Sequence, residues 1–260
     1  MISKAQHIAN TLRAVSGSDK RIKPTSAVIV AGGRSTRMGG EILKQHRMLG
    51  GLPVVVRTLK VFEACELIQD IVVVTLPGEI PLYESYREQY GLTKLHAIVP
   101  GGDTRQQSVL CGFEAISRKS EFVAIHDAVR CLVTEQMIEA VCLTAYKTRA
   151  ATAATAVRDT VKISDGKGYI SGTTDRNTVW LAQTPQVFNV TLYRAAAYTA
   201  REAGFEATDD NSLVERIDNP VRLVECGSEN IKLTTPEDMS LAEEILAARR
   251  RRKAGGLSCE

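Results

Sequence analysis

The sequence predicts an α/β fold, a mostly parallel sheet flanked by helices, and two observations carry that prediction. Short apolar, β-branched segments alternate with segments of helical period along most of the chain, which is the pattern of βαβ units. A chain of 260 residues also suffices to bury one full core, so one domain is the default.

Taken in order, the strand segments are Ala27–Ala31, Ile71–Thr75, Leu95–Val99, Phe122–Ile125, Thr152–Ala156, Val187–Phe188 and Val221–Val224. Helical segments fall between them at Pro53–Cys65, Pro81–Tyr90, Arg105–Ser117, Thr134–Arg149, Val190–Ala203 and Thr235–Arg249. The last begins with Thr235, Pro236, Glu237 and Asp238, an N-cap, a first-turn proline and two acids that suit the helix dipole. Met137, Ile138, Val141, Cys142 and Ala145 recur at helical spacing and read as core. Residues 157 to 186 break the rhythm, because Thr160 to Ile163 alternates and leads through DGKG to Tyr169, Ile170 and Ser171. That is a hairpin signature. Such a protruding arm has unpaired edges, which packing against a second copy of the chain would protect. Residues 1–24 form an N-terminal extension, 25–250 the domain and 251–260 a tail.

Composition excludes several classes. With 33 basic and 30 acidic residues, the balance points neither to nucleic acid nor to a membrane surface as main partner. Six cysteines occur without a CxxC pair or an accompanying histidine cluster, so neither zinc nor a redox motif is suggested. They read as reduced thiols in a cytoplasmic protein.

Four segments carry chemistry. AVIVAGGRSTRMGGEILKQ, residues 27 to 45, ends a strand in glycines and positive charges. It matches neither GxxxxGK[ST] nor GxGxxG, yet glycine N–H groups with Arg37 and Lys44 suit an anion such as a triphosphate. PGGDTRQQSVLCG, residues 100 to 112, is a second glycine turn entering a helix. Asp103 and Ser108 there read either as contacts to the edge of a base or as local capping groups. FVAIHDAVR, residues 122 to 130, puts Asp127 at the end of an apolar strand, where it reads as a magnesium ligand or as half of a buried ion pair with Arg130. His126 reads as a satisfied structural histidine. GSENIKLTTPED, residues 227 to 238, sets Lys232 between apolar neighbours, the placement of a lysine at a strand edge or in a cleft.

In this order, AGGRSTRMG, KQ, GGDTRQQSV, HDAVR, VRDTVK, TDRNTVWLAQTPQ, ATDDNSLVE and ENIKLTTPEDMSLAEEIL resemble the 2-C-methyl-D-erythritol 4-phosphate cytidylyltransferases of the non-mevalonate isoprenoid pathway. The resemblance covers about residues 27 to 248. It implies a single Rossmann-like nucleotidyltransferase domain, a homodimer joined through the hairpin arm, and CTP with Mg²⁺. The reaction implied joins CTP and methylerythritol phosphate to give the cytidine diphosphate sugar alcohol and pyrophosphate. Arg37 and Lys44 fall on the family's triphosphate-binding and transition-state-stabilising pair, and Ala31, Gly32, Gly33, Gly102, Asp103 and Ser108 on the cytidine pocket. Asp127 falls on the magnesium-binding aspartate. Arg130, Thr160, Thr208 and Lys232 fall on the sugar-phosphate positions, with Arg176 reaching in from the other subunit's arm.

Three departures stand out: Leu43 where the family usually has proline before KQ, Cys131 where proline usually follows HDAVR, and Gly32 for a usual alanine. The first predicts a less preorganised Lys44, and the second a looser turn with a thiol near the site. Two other readings stay open, a sister cytidylyltransferase acting on ribitol 5-phosphate and a nucleotide-binding protein that kept the fold and lost catalysis.

Overall fold

The structure is a computed structural model that describes residues 22–33 and 42–255. The chain enters as β1 (Thr25–Val30), then makes a single turn of 3₁₀ helix at Lys44–His46. A small hairpin of β2 (Met48–Leu49) and β3 (Leu52–Pro53) leads into α1 (Val54–Ala64). There follow β4 (Ile68–Thr75), α2 (Ile80–Tyr90), β5 (Leu95–Pro100), α3 (Arg105–Glu114), β6 (Phe122–Asp127), α4 (Glu135–Thr148) and β7 (Ala150–Ala156). A separate two-stranded ribbon, β8 (Val161–Ser164) with β9 (Ile170–Thr174), precedes β10 (Trp180–Asn189). The chain closes with α5 (Val190–Glu202), α6 (Asp210–Glu215), β11 (Arg222–Glu225) and α7 (Pro236–Gly255).

Seven strands form one sheet in the order β11-β7-β10-β6-β1-β4-β5. All neighbouring pairs are parallel except those of β10, which runs antiparallel to both β6 and β7. Each strand segment read from the sequence lies within a strand of this sheet or overruns one by a residue. β10 is much longer than the apolar pair Val187–Phe188 suggested, because Gln183, Thr184 and Gln186 hide a buried strand behind polar side chains. They are tolerated inside because each is hydrogen-bonded: Gln183 Nε2 to the Gly227 carbonyl, Gln186 Nε2 to Asp209, and Thr184 Oγ1 with His126 Nδ1. The ribbon therefore leaves the sheet only between β7 and Trp180, a shorter excursion than residues 157 to 186.

Helices α1, α2 and α4 cover one face, where Val55, Leu59, Phe62, Tyr83, Met137, Ile138 and Val141 pack onto Ala27, Ile29 and Val73. The opposite face is covered by α3, α5 and α6, with Phe113, Tyr193, Leu213 and Val214 against Val28, Val74 and Ile125. Burying each such large apolar side chain is worth about 1.5–3 kcal/mol. On α3 the approach to the sheet is close enough to specify glycine. A Cβ at Gly112 would stand 2.5 Å from methyl groups of both Val28 and Val74. Helix starts are fixed locally: Thr104 and Gln107 form a reciprocal capping box on α3, while Thr134, Asn189 and Asp209 cap α4, α5 and α6. At α7 the Asp238 carboxylate accepts hydrogen bonds from the backbone of Thr234 and Thr235.

A third cluster, with Leu49, Val54, Cys131, Leu132, Leu233 and Ala242, ties α7 and the β2–β3 hairpin to the loop after β6. Cys131 is thus a core residue, and burial pushes its thiol up to about 12. The thiol expected near the site from its position in the sequence thus lies four residues beyond Asp127, packed inside this cluster.

Candidate functional site

The sheet order decides where a ligand can bind. From β1 the chain moves outward through β4 to β5, then returns to place β6 on the other flank of β1. The connections diverge between β1 and β6, so the crevice opens beyond the carboxyl ends of those two strands. Their register sets Val30 opposite Asp127. A cavity of about 490 Å³ lies there, lined among others by Ala31, Gly32, Gly33, Lys44, Asp103, Ser108, Asp127 and Lys232.

Each wall has a local cause. Ala31 N–H donates to the Val74 carbonyl and so prolongs the β1–β4 ladder by one residue. A Cβ on Gly32 would meet nothing nearer than Thr75 backbone at 3.8 Å, so an alanine fits there as well. Gln45, buried, donates from Nε2 to the Ala31 carbonyl at 2.9 Å and folds the Lys44 turn back over the end of β1. Ser108, on the second turn of α3, donates to the Thr104 carbonyl and lies 3.3 Å from the Gly102 carbonyl. Gly102 is held tight, since a Cβ there would come within 2.5 Å of Gln107 Cβ. The capping role offered to Asp103 and Ser108 belongs instead to Thr104 and Gln107, which leaves the exposed Asp103 carboxylate on the cavity wall.

Asp127 is the electrostatic centre. Lys232 Nζ lies 2.8 Å from Oδ2, Arg105 Nε 3.3 Å from Oδ1, and Arg130 Nε 3.9 Å from Oδ2. Burial works against the charge, yet Arg105, Lys232 and Arg130 together hold the carboxyl well below the usual carboxylate range. Arg105 is held from behind: its Nη1 meets Asp210 Oδ2 at 2.8 Å, and Asp210 Oδ1 accepts from the Tyr193 hydroxyl at 2.7 Å. Arg130 donates from Nη1 to the Asn230 carbonyl. His126 is fully buried, its Nδ1 paired with the Thr184 hydroxyl and its Nε2 with the Arg130 carbonyl. Burial pushes its pKa down to about 3, so it is a neutral structural histidine.

Lys232 lies in the cleft. It is not on a strand but in a segment without regular secondary structure, fastened by the Leu233 N–H to the Val129 carbonyl.

Across residues 25–248 the chain matches the sequence model of the 2-C-methyl-D-erythritol 4-phosphate cytidylyltransferases. The chain belongs to this family. A relative of that name from Pelotomaculum thermopropionicum is 42% identical over 89% of this chain and 98% of its own. One from Caldanaerobacter subterraneus subsp. tengcongensis is 44% identical over 85% and 98%. Among solved structures, a 4-diphosphocytidyl-2C-methyl-D-erythritol synthase from Anaerococcus prevotii superposes with a TM-score of 0.78 at 31% identity, covering 88% of this chain and all of the other. The Thermus thermophilus cytidylyltransferase gives 0.71 at 32%, covering 85% of this chain and 98% of its own.

In this cytidylyltransferase the fold thus brings eight of the sequence-derived residues to one cavity, with the Gly102 carbonyl accepting from Ser108 and Arg130 ion-paired with Asp127 at 3.9 Å. Thr160 at the foot of the ribbon, Arg176 and Thr208 are exposed and do not line it. The Arg176 guanidinium rests on the Arg158 carbonyl at 3.3 Å. Arg37 lies outside the described residues. Sequence reasoning passed over Arg105 and Asp210 as site residues. A signal was present, since an arginine at the first position of a helix opposes the dipole and requires acids nearby to justify it.

Among the described residues, no group of three or more histidine, cysteine, aspartate or glutamate side chains is arranged to hold a metal. Magnesium asks for less, one or two carboxylates completed by substrate phosphates and water. Asp127, with Asp103 on the same cavity wall, fits a magnesium that arrives on a nucleotide triphosphate.

Proposed function

We propose that this cavity is where CTP and 2-C-methyl-D-erythritol 4-phosphate are joined to give 4-diphosphocytidyl-2-C-methyl-D-erythritol and pyrophosphate. The observation that carries the reading is that Lys44 and Lys232 face one crevice at the switch point of the sheet, with ionised Asp127 beside them.

The acceptor's phosphate oxygen attacks the α-phosphorus of CTP, forming one P–O bond as the bond to the β-phosphate breaks. A phosphate with a second pKa of roughly 6 is largely ionised at neutral pH, so the chain need supply no general base. Its task is to align the reactants and to neutralise charge. Lys44 and Arg37 take the triphosphate, with Lys44 as the movable point charge that follows charge onto the α-phosphorus. Lys232 and Arg130 take the acceptor phosphate, and Thr160 and Thr208 its neighbourhood. Backbone at Ala31, Gly32, Gly33 and Gly102, with Asp103 and Ser108, reads the cytosine and ribose. Asp127, with Asp103 near by, would hold a magnesium ion borne by the triphosphate, which when bound supplies further neutralisation of phosphate charge.

A homodimer completes the site. The ribbon and the start of β10 expose Ile163, Tyr169, Ile170 and Leu181, an apolar surface that a two-fold partner would cover, and Arg176 travels with it toward the partner's acceptor site. Cys65, Cys131, Cys142 and Cys226, all buried and reduced, support a cytoplasmic setting. Among the described residues, no helix is long and apolar enough to cross a membrane.

Pyrophosphate release from CTP and Mg²⁺, measured with methylerythritol phosphate and separately with ribitol 5-phosphate, tests the assignment. Release with the first acceptor alone is the expected result. Release only with ribitol phosphate, or CTP binding without release, would overturn it.

A further inference from the structure

Lys44 sits on a turn with its own fastening, and that fastening extends beyond the site. Of the two residues that follow it in the 3₁₀ turn, Gln45 is tied to the end of β1. His46 is tied to the end of β4: its Nε2 lies 2.9 Å from Glu79 Oε1, and the other carboxylate oxygen, Oε2, accepts from Thr75 Oγ1 at 2.9 Å. On its other side His46 Nδ1 lies 3.3 Å from the Tyr86 hydroxyl, and its ring packs against those of Tyr83 and Tyr86 at 5.5 and 5.9 Å. The His46 and Glu79 side chains are only 9% and 15% exposed. Thr75 in turn accepts, at its carbonyl, the N–H of Gly101, the first glycine of the loop that carries Gly102 and Asp103.

We infer that His46, held by Glu79, is a positioning residue for Lys44, and that the Thr75–Glu79–His46 chain keeps the Lys44 turn in register with the Gly101–Asp103 loop across the cavity. A lysine stem has four rotatable carbons, so the ammonium can be aimed only if its backbone is fixed. The chain has built that fixation from hydrogen bonds on two strand ends and an aromatic wall on α2. Misplacement by about 1 Å can cost up to roughly 10²-fold in rate. The imidazole does not touch the reacting atoms. It acts through Lys44, and the inference rests on the transition-state role given to that lysine.

The test is a double-mutant cycle in the full chain, reading turnover by pyrophosphate release under saturating CTP. His46→Ala lowers kcat on the order of 10-fold or more, within the range that misplacement allows, with little change in KM for CTP. In the Lys44→Ala background the same change costs nothing further, because residues acting as one unit are non-additive. Glu79→Ala enters the cycle as an independent arm and behaves alike. Glu79→Gln, which can still accept from His46 and donate to Thr75, keeps most of the turnover.

An equal factor lost in both backgrounds would mean a merely structural role and overturns the inference. So does a Glu79→Gln variant as slow as Glu79→Ala. Near-normal turnover in Lys44→Ala alone is a different failure, since it removes the role of the lysine itself.

Discussion

Lys232 and Arg105 divide the Asp127 carboxylate between them, the ammonium 2.8 Å from Oδ2 and the guanidinium Nε 3.3 Å from Oδ1. With Arg130 also in reach, three cations among the described residues converge on one carboxylate, and among those residues Asp210 offers Arg105 its second anion. Such an arrangement keeps Asp127 ionised, and it makes the cations depend on Asp127 to stay close together.

We therefore predict that Asp127→Asn is costly twice. Breaking a buried pair costs about 3–5 kcal/mol, and here the Lys232 side chain is 38% exposed, so solvent screening reduces the loss to roughly 1–3 kcal/mol. For a chain of this size that is a fall of about 2–4 °C in Tm per kcal/mol. Turnover with CTP and Mg²⁺ falls as well. A variant as stable as the parent in urea would show that the three cations do not rely on this carboxylate.

Lys44→Ala should separate chemistry from binding. If the ammonium meets charge that develops on the α-phosphorus, its loss costs on the order of 10²-fold in kcat, whereas CTP retains the backbone cradle and weakens less. Single-turnover rates and a CTP titration on the same preparation check this. Turnover close to the parent's is the result that rejects the assignment.

The parts legible in the sequence were those written as patterns. Apolar strands and capped helices gave the layers, and glycine or acid at strand ends gave the cavity walls. β10 was nearly invisible because Gln183, Thr184 and Gln186 are buried by hydrogen bonds to partners about 20 to 60 residues away, among them Asp209 and His126. No local period records such bonds. Arg105 and Asp210 are 105 residues apart in the chain and meet only through the sheet order. The consequence of Leu43 was legible as chemistry but not as geometry, since replacing proline says nothing about which φ the leucine adopts.

That geometry yields the third prediction. Leu43 precedes the Lys44 turn with φ −60° and ψ 142°, and proline is locked at a φ of about −65°. The backbone therefore already has the shape a proline would impose, and the leucine leaves the unfolded chain more conformational freedom to lose on folding rather than imposing a wrong fold. Leu43→Pro should stabilise the protein by about 0.4–1 kcal/mol and leave kcat unchanged or raised. Chemical denaturation with parallel turnover assays measures both. Destabilisation would mean that the Leu43 N–H or the residue before it needs what proline forbids.

Burial, with smaller opposed contributions from Asp127 and Arg130, pushes the His126 pKa down to about 3, against roughly 6.5 in an unfolded chain. Below about pH 6.5 the unfolded chain therefore binds a proton that the folded chain refuses. This group's contribution is complete above that pH and is lost as pH falls toward 3, at up to about 1.4 kcal/mol per pH unit. The reason lies in its partners: Nδ1 faces the Thr184 hydroxyl, and that oxygen also accepts the Asp127 N–H at 3.1 Å. With the Asp127 N–H already donated to it, the hydroxyl has its own proton to give, and a proton on Nδ1 would turn an acceptor into a competing donor and loosen the end of β6. Most carboxylates titrate only near pH 4, so the interval from 6.5 to 5 excludes them, and comparison with a His126 variant separates this histidine from the chain's other three. Urea midpoints across that interval should fall for the parent and stay flatter for His126→Gln, which starts lower at pH 7 but has no proton to gain. Parallel slopes for the two proteins would assign the acid sensitivity elsewhere.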